Sequence, residues 1–158
     1  MSEVQLIKMA GGNFRAAHQS DQDSVQKIKN GALVLANIVQ PRNAKFHKKF
    51  FALLNYGFDY WEPDPVLVEG IEIEPEKNFE RFRKDILILA GYRTLVVNIK
   101  NEVRYEAQSI SFAKMDETEF NKVYENVFNV IWKMVMSKVR GMTPEIVENT
   151  MNQLMGFD

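Results

Sequence analysis

Steps of three and four residues bring side chains back to one face of a helix, and several stretches of this chain carry apolar residues at that spacing. In RNAKFHKKFFALLNYGFDYW, residues 42–61, Phe46, Phe50, Leu53, Leu54, Phe58 and Trp61 share one side. Asn43 is a suitable N-cap for this helix, and Pro63 and Pro65 require it to finish before them. Gly57 within it weakens the last turn by about 1 kcal/mol relative to alanine. A second run repeats Phe79, Phe82, Ile86, Leu89 and Ala90, with Pro75, Glu76 and Glu80 suited to its start and Gly91 to its stop. The spacing predicts a third, longer helix from the capping-box pair Asp116 and Glu119 to roughly Arg140, with Phe120, Val123, Tyr124, Val127, Phe128, Ile131 and Val135 as its stripe. After Gly141, Thr143-Pro144-Glu145 opens a last helix whose buried or partner-facing side is Ile146, Val147, Thr150, Met151 and Leu154.

Other stretches alternate as strands do. Residues 3–9 and Phe14 to Ala17 flank Gly11-Gly12 and predict a hairpin. Ser20 then caps a short helix through Lys29 that buries Val25 and Ile28, and ALVLANIV at 32–39 is β-branched enough for a strand. Arg93 to Ile99 and Val103 to Ser111 form a second hairpin about Lys100-Asn101-Glu102. Between Glu62 and Pro75 lies a long acidic surface loop with one short strand. The expected architecture is α+β, a single domain over 1–158 in which helices pack on one face of a small antiparallel sheet, with a helical C-terminal part from 116 to 155.

Composition narrows the role. Hydrophobic residues make up 46% of the 158, ample for a packed core, while a net charge of −1 restricts any nucleic-acid site to a local patch. The absence of cysteine removes disulfides, thiolate metal sites and a Cys nucleophile, and fits a reducing cytoplasm. No signal peptide or membrane span is expected.

The candidate chemistry lies at the start of the aromatic helix. Arg42, Lys45, His47, Lys48 and Lys49 crowd the first two turns, where the helix dipole favours acids, so a polyanion is the expected user. Arg42, Lys45, Lys48 and Lys49 would neutralise phosphates, and His47 or Tyr56 would offer a ring for a base. Arg81, Arg83 and Lys84 form a second cationic patch. The competing explanation is a solvated helix face whose lysine stems cover apolar surface. Phe46, Phe50, Phe58 and Trp61 read as core, with Phe51 off the main stripe and available outside it. A metal nuclease would need converging carboxylates, for which Asp85, Glu106, Asp116 and Glu119 are candidates, although helix capping explains the last two. No cofactor is expected. Met134, Met136, Met142, Met151 and Met155 predict a homodimer contact through the terminal helices.

The blocks RNAKFHKKFFALLNYGFDYW, EKNFERFRKDILILAGY at 76–92 and SISFAKMDETEF at 109–120 resemble a tailed-phage and prophage family that carries a domain-of-unknown-function label. Residues 42–54 are also similar, more weakly, to the lambdoid NinB family of recombination mediators, which bind single-stranded DNA and cooperate with single-strand-binding protein. Arg42, Lys49 and Ala52 match that motif in kind, Lys48 stands where it has Arg, and Phe51 where it has Trp. Asn43, Phe46 and His47 replace its Ser, Gln and Asn, so the polar pair at its centre is altered. The resemblance implies a non-catalytic DNA-binding accessory protein that prefers single strands. A protein-binding adaptor or host-defence inhibitor, using the Met-rich helices or the acidic loop, is the alternative, and a metal nuclease the second alternative.

Overall fold

The computed structural model describes residues 3–38 and 44–156. The chain divides into two compact units, Met1–Gln40 and Pro41–Asp158. Val39, Pro41, Arg42 and Asn43, to which the sequence assigns the end of a strand, its stop, a cation and a helix cap, lie outside the described residues.

In the first unit, strands β1 (Leu6–Lys8) and β2 (Phe14–Ala16) pair antiparallel, with Leu6 opposite Ala16. Gly11 and Gly12 make the turn at φ 86° and 83°, a backbone that L side chains resist. Helix α1 (Gln19–Gln26) starts at His18, not Ser20, because the carboxylate of Asp21 reaches back to accept from the His18 N–H at 3.3 Å. Asp21 is buried, and burial raises its pKa against the lowering effect of the Gln5 and His18 backbone amides. Val25 and Ile28, expected to be buried, are exposed. Residues 32–38 form no strand; they have no ladder partner, and Leu33 and Leu35 stand 92% and 94% exposed.

The second unit is built on α2 (Ala44–Tyr60). Phe50, Phe51, Leu53, Leu54 and Gly57 are buried along it, so Phe51 belongs to the core instead of standing outside it. Helix α3 (Phe79–Leu89) begins later than Pro75 suggests, because the Asn78 side chain supplies the cap and accepts from the Arg81 N–H at 2.8 Å. Its buried residues are Phe82, Ile86 and Leu87, whereas Leu89 turns outward. The predicted capping box opens α4 (Glu117–Met134): Asp116 accepts from the Glu119 N–H at 2.8 Å, and Glu119 from the Asp116 N–H at 3.0 Å. Asp116→Ala should therefore cost about 0.5–2 kcal/mol in urea unfolding, with Asp116→Ser recovering most of it.

Helix α4 stops at Met134, short of Arg140; a 3-10 turn at Met136–Lys138 and Gly141 at φ 78° turn the chain toward α5 (Pro144–Gly156). Thr143 Oγ1 accepts from the Ile146 N–H at 3.2 Å, as the Thr-Pro-Glu signature predicts. Only part of the expected α5 stripe is buried: Val147 and Met151 enter the core, while Ile146 and Leu154 remain exposed. The core lies where α2, α3, α4 and α5 meet, with Phe112 from a 3-10 turn wedged beside Phe50 at 5.0 Å between ring centroids.

The strands of this unit are two local hairpins. Strands β3 (Val66–Val68) and β4 (Ile71–Ile73) pair across Glu69-Gly70, both at positive φ, where one short strand was expected in the acidic loop. Strands β5 (Arg93–Val97) and β6 (Val103–Ala107) pair as predicted, with shorter ends. The Asn98 side chain organises their turn by accepting from the Lys100 and Glu102 N–H groups at 2.9 and 3.0 Å. The class is α+β, but among the described residues the strands stay as three two-stranded sheets, not one sheet covered by helices. Helix packs on helix instead, and strands of three to five residues leave most of their apolar side chains in solvent. No helix among the described residues is long and apolar enough to cross a membrane.

Candidate functional site

The start of α2 is cationic but largely engaged by the protein itself. Lys45 is exposed, and Lys48 is half-buried one turn on. Lys49 turns inward, with its Nζ 4.4 Å from the centroid of the Tyr124 ring and 3.6 Å from Glu148 Oε1 of α5. Tyr124 donates its hydroxyl to Glu148 Oε2 at 3.4 Å, and burial together with that carboxylate pushes the phenol above its ordinary pKa. The Lys49 charge is thus answered by Glu148 and by an aromatic face. His47 stacks on Phe51 at 4.7 Å and meets the Phe112 edge at 5.5 Å, so its ring is part of the aromatic packing. Tyr56 is taken up similarly, edge-on to Tyr60 at 5.1 Å.

The second patch is neutralised on its own helix. Arg81 pairs with Asp85, its Nε donating at 2.9 Å, and Arg83 Nη2 donates to Glu80 at 2.7 Å. Lys84 Nζ stands 3.6 Å from the same Glu80 oxygen. Burial alone would raise the Glu80 pKa, but Arg83 and Lys84 outweigh it and the net shift is downward. These side chains follow the i, i+3 and i, i+4 spacing of acids and bases on α3, a spacing that stabilises the helix by itself. The exposed Arg81–Asp85 pair contributes only about 0–1 kcal/mol, so a phosphate could still displace that acid.

The nuclease carboxylates are also separately occupied. Asp85 holds Arg81, Glu106 pairs with Arg104, and Asp116 and Glu119 cap α4. Among the described residues, no three His, Cys, Asp or Glu side chains converge as a metal site. The Met cluster divides as well: Met136 and Met151 are fully buried inside the chain's own core, and Met134 is 44% exposed.

Met134 belongs to a feature that the sequence pattern did not reveal. The C-terminal end of α2, the outer side of α3 and the end of α4 enclose an apolar groove of about 680 Å³. Trp61 and Phe82, 5.3 Å apart between ring centroids, line it together with Tyr60, Ile86, Leu89 and Met134. Tyr60, Leu89 and Met134 are 41%, 53% and 44% exposed, a large apolar area left in water beside a finished core. Its charged lining is Glu62, Asp64 and Asp85 against Lys138. Leu89 lies three residues from Ile86 on the predicted stripe, and its outward turn is legible only in the structure.

The chain runs from this groove directly into the β3–β4 hairpin, where Val66, Val68, Ile71 and Ile73 share one face and are 47%, 49%, 66% and 44% exposed. Leu67, on the opposite face, is 76% exposed. The whole stretch from Asp59 to Glu76 contains Asp59, Glu62, Asp64, Glu69, Glu72, Glu74 and Glu76 and no lysine or arginine. Lys77 answers one of them, with its Nζ 3.6 Å from Glu62.

Compared with known proteins, the chain matches one family, described as "Protein of unknown function (DUF1367)", over residues 1–72 and 67–157. No curated protein and no solved structure matches it.

Proposed function

The chain belongs to the DUF1367 family, whose description assigns no activity, and we propose from the geometry that it is a non-catalytic accessory protein of phage or prophage origin that works as a protein-binding adaptor. The observation that carries this reading is the apolar groove in which Tyr60, Leu89 and Met134 stay exposed beside the core residues Phe82 and Ile86. Side chains of this type are normally withdrawn from water, worth roughly 1.5–3 kcal/mol each on full burial, and a partner surface is what withdraws them here. The test is affinity capture from a bacterial lysate with the full chain and with Leu89→Asp, followed by reconstitution from purified components. A dominant protein held by the wild type and lost with Leu89→Asp supports the adaptor role; equal recovery by both rejects it.

A specific observation favours a second reading, contact with single-stranded DNA in the manner of a NinB-like recombination or replication mediator. Lys45 and Lys48 lie one turn apart at the start of α2, which has no acid in its first turn. Phosphate contacts by these two lysines would give a salt slope of about −1.4, modest beside that of dedicated DNA binders. A labelled single strand should be retarded at low salt, released as salt rises, and bound less well by Lys45→Ala/Lys48→Ala. Binding unchanged by that pair removes these residues from any DNA site. Cooperation with single-strand-binding protein and self-association as a dimer fit the same role.

A further inference from the structure

We propose that the partner segment received by the groove is a cationic amphipathic peptide, with apolar side chains that enter between α3 and the end of α4 and lysines or arginines that face the acidic stretch from Asp59 to Glu76. The inference rests on the adaptor reading and adds the chemistry of the occupant. Two features of the surface combine to select it. The groove supplies an apolar bed of a size for a few large side chains, with Trp61 in its lining.

The groove's lining and the chain that leaves it carry more acids than bases. Among the groove's own charged side chains the acids Glu62, Asp64 and Asp85 face the single cation Lys138. Lys77 and Arg81 answer Glu62 and Asp85 in part. The surplus comes from exposed Asp59 and Asp64 and from Glu69, Glu72, Glu74 and Glu76 along and after the β3–β4 hairpin. An acidic partner would meet repulsion from these carboxylates, and a neutral one would leave their attraction unused. A basic segment gains both faster encounter and correct orientation, because complementary charge steers association and fixes register. The hairpin that follows Asp64 in the chain carries an apolar face of its own, Val66, Val68, Ile71 and Ile73.

The experiment uses the full chain with Trp132→Phe, so that Trp61 is the sole indole, and two synthetic 18-residue helical peptides. Both carry the same leucine face; one has lysine and arginine on its polar face, the other glutamate. The cationic peptide should shift Trp61 emission and bind at least tenfold more tightly than the acidic one, with the preference shrinking as salt rises. Asp64→Lys/Glu72→Lys should reduce that preference severalfold. Leu89→Asp separates docking from plain charge attraction: the added carboxylate would strengthen purely electrostatic binding, whereas loss of the groove wall should weaken it at least tenfold.

Equal binding of both peptides, abolished by Leu89→Asp, overturns the cationic inference and leaves the adaptor reading standing. Failure of both peptides to perturb Trp61, or tighter binding to Leu89→Asp, overturns both. A single-stranded oligonucleotide that shifts Trp61 emission as the cationic peptide does would also overturn the assignment of the groove to a protein segment.

Discussion

Phe50→Ala should lower the free energy of unfolding by about 3–5 kcal/mol, read as a shift in the urea midpoint at unchanged slope. Phe50 is 1% exposed, with Phe51 at 5.6 Å and Phe112 at 5.0 Å between ring centroids. Truncation removes the ring's transfer free energy and leaves a cavity that the neighbouring rings, themselves held in the core, refill only in part. Since small domains are stable by roughly 5–15 kcal/mol, the variant should lie close to unfolding at physiological temperature. Phe50→Leu keeps most of the volume and should lose much less. A loss below about 1 kcal/mol for the alanine variant would place Phe50 outside the cooperative core.

Gly57→Val should cost about 3 kcal/mol, and Gly57→Ala should be net destabilising although alanine is the better helix former by about 1 kcal/mol. A Cβ at this position would stand 2.9 Å from Ile131 Cγ2 and 3.4 Å from both Ile131 Cδ1 and Phe82 Cζ. The missing side chain is therefore what lets α2 and α4 approach. Ile131→Leu removes the branch that collides, so the double variant Gly57→Ala/Ile131→Leu should be more stable than the sum of the single changes predicts. A strictly additive pair in urea unfolding would disprove the close contact.

Gly57 illustrates how much of this molecule can be read from residue order. Its helix cost is visible in sequence, but its purpose requires Ile131, seventy-four positions away in the chain, to be set opposite it. Where the controlling interactions are local, the sequence is informative: the Asp116 and Glu119 box, the Thr143 cap, the α2 and α4 stripes and the β5–β6 hairpin are all legible from neighbours within a few residues. Residues 32–38 show the limit, since β-branched composition cannot supply a ladder partner. Phe51 and Leu89 show another. An apolar residue at the edge of a stripe can turn inward or outward, and the packing of Phe112 or Met134 nearby distinguishes the two outcomes.

The cationic residues were equally visible as types and misleading as a patch. Lys49 is four positions from Lys45 in sequence, but Glu148 arrives from α5 and Arg83 is met by Glu80 on its own helix. Charge counted along one segment omits the counter-charges that folding brings to it. The groove escaped notice for the reverse reason: its walls come from three helices, each of which devotes most of its apolar residues to the core.

The acids of the β3–β4 hairpin have a further consequence for how the protein survives at high concentration. Two short ladders of branched apolar residues with open edges, β3–β4 and β5–β6, are templates for stacking chain on chain. Glu69 and Glu72, at the bend and on the strand, act as gatekeepers whose mutual repulsion keeps like hairpins apart. Glu69→Gln/Glu72→Gln would remove that guard while the exposed valines and isoleucines stay, so precipitation, not unfolding, would set the concentration limit of that variant.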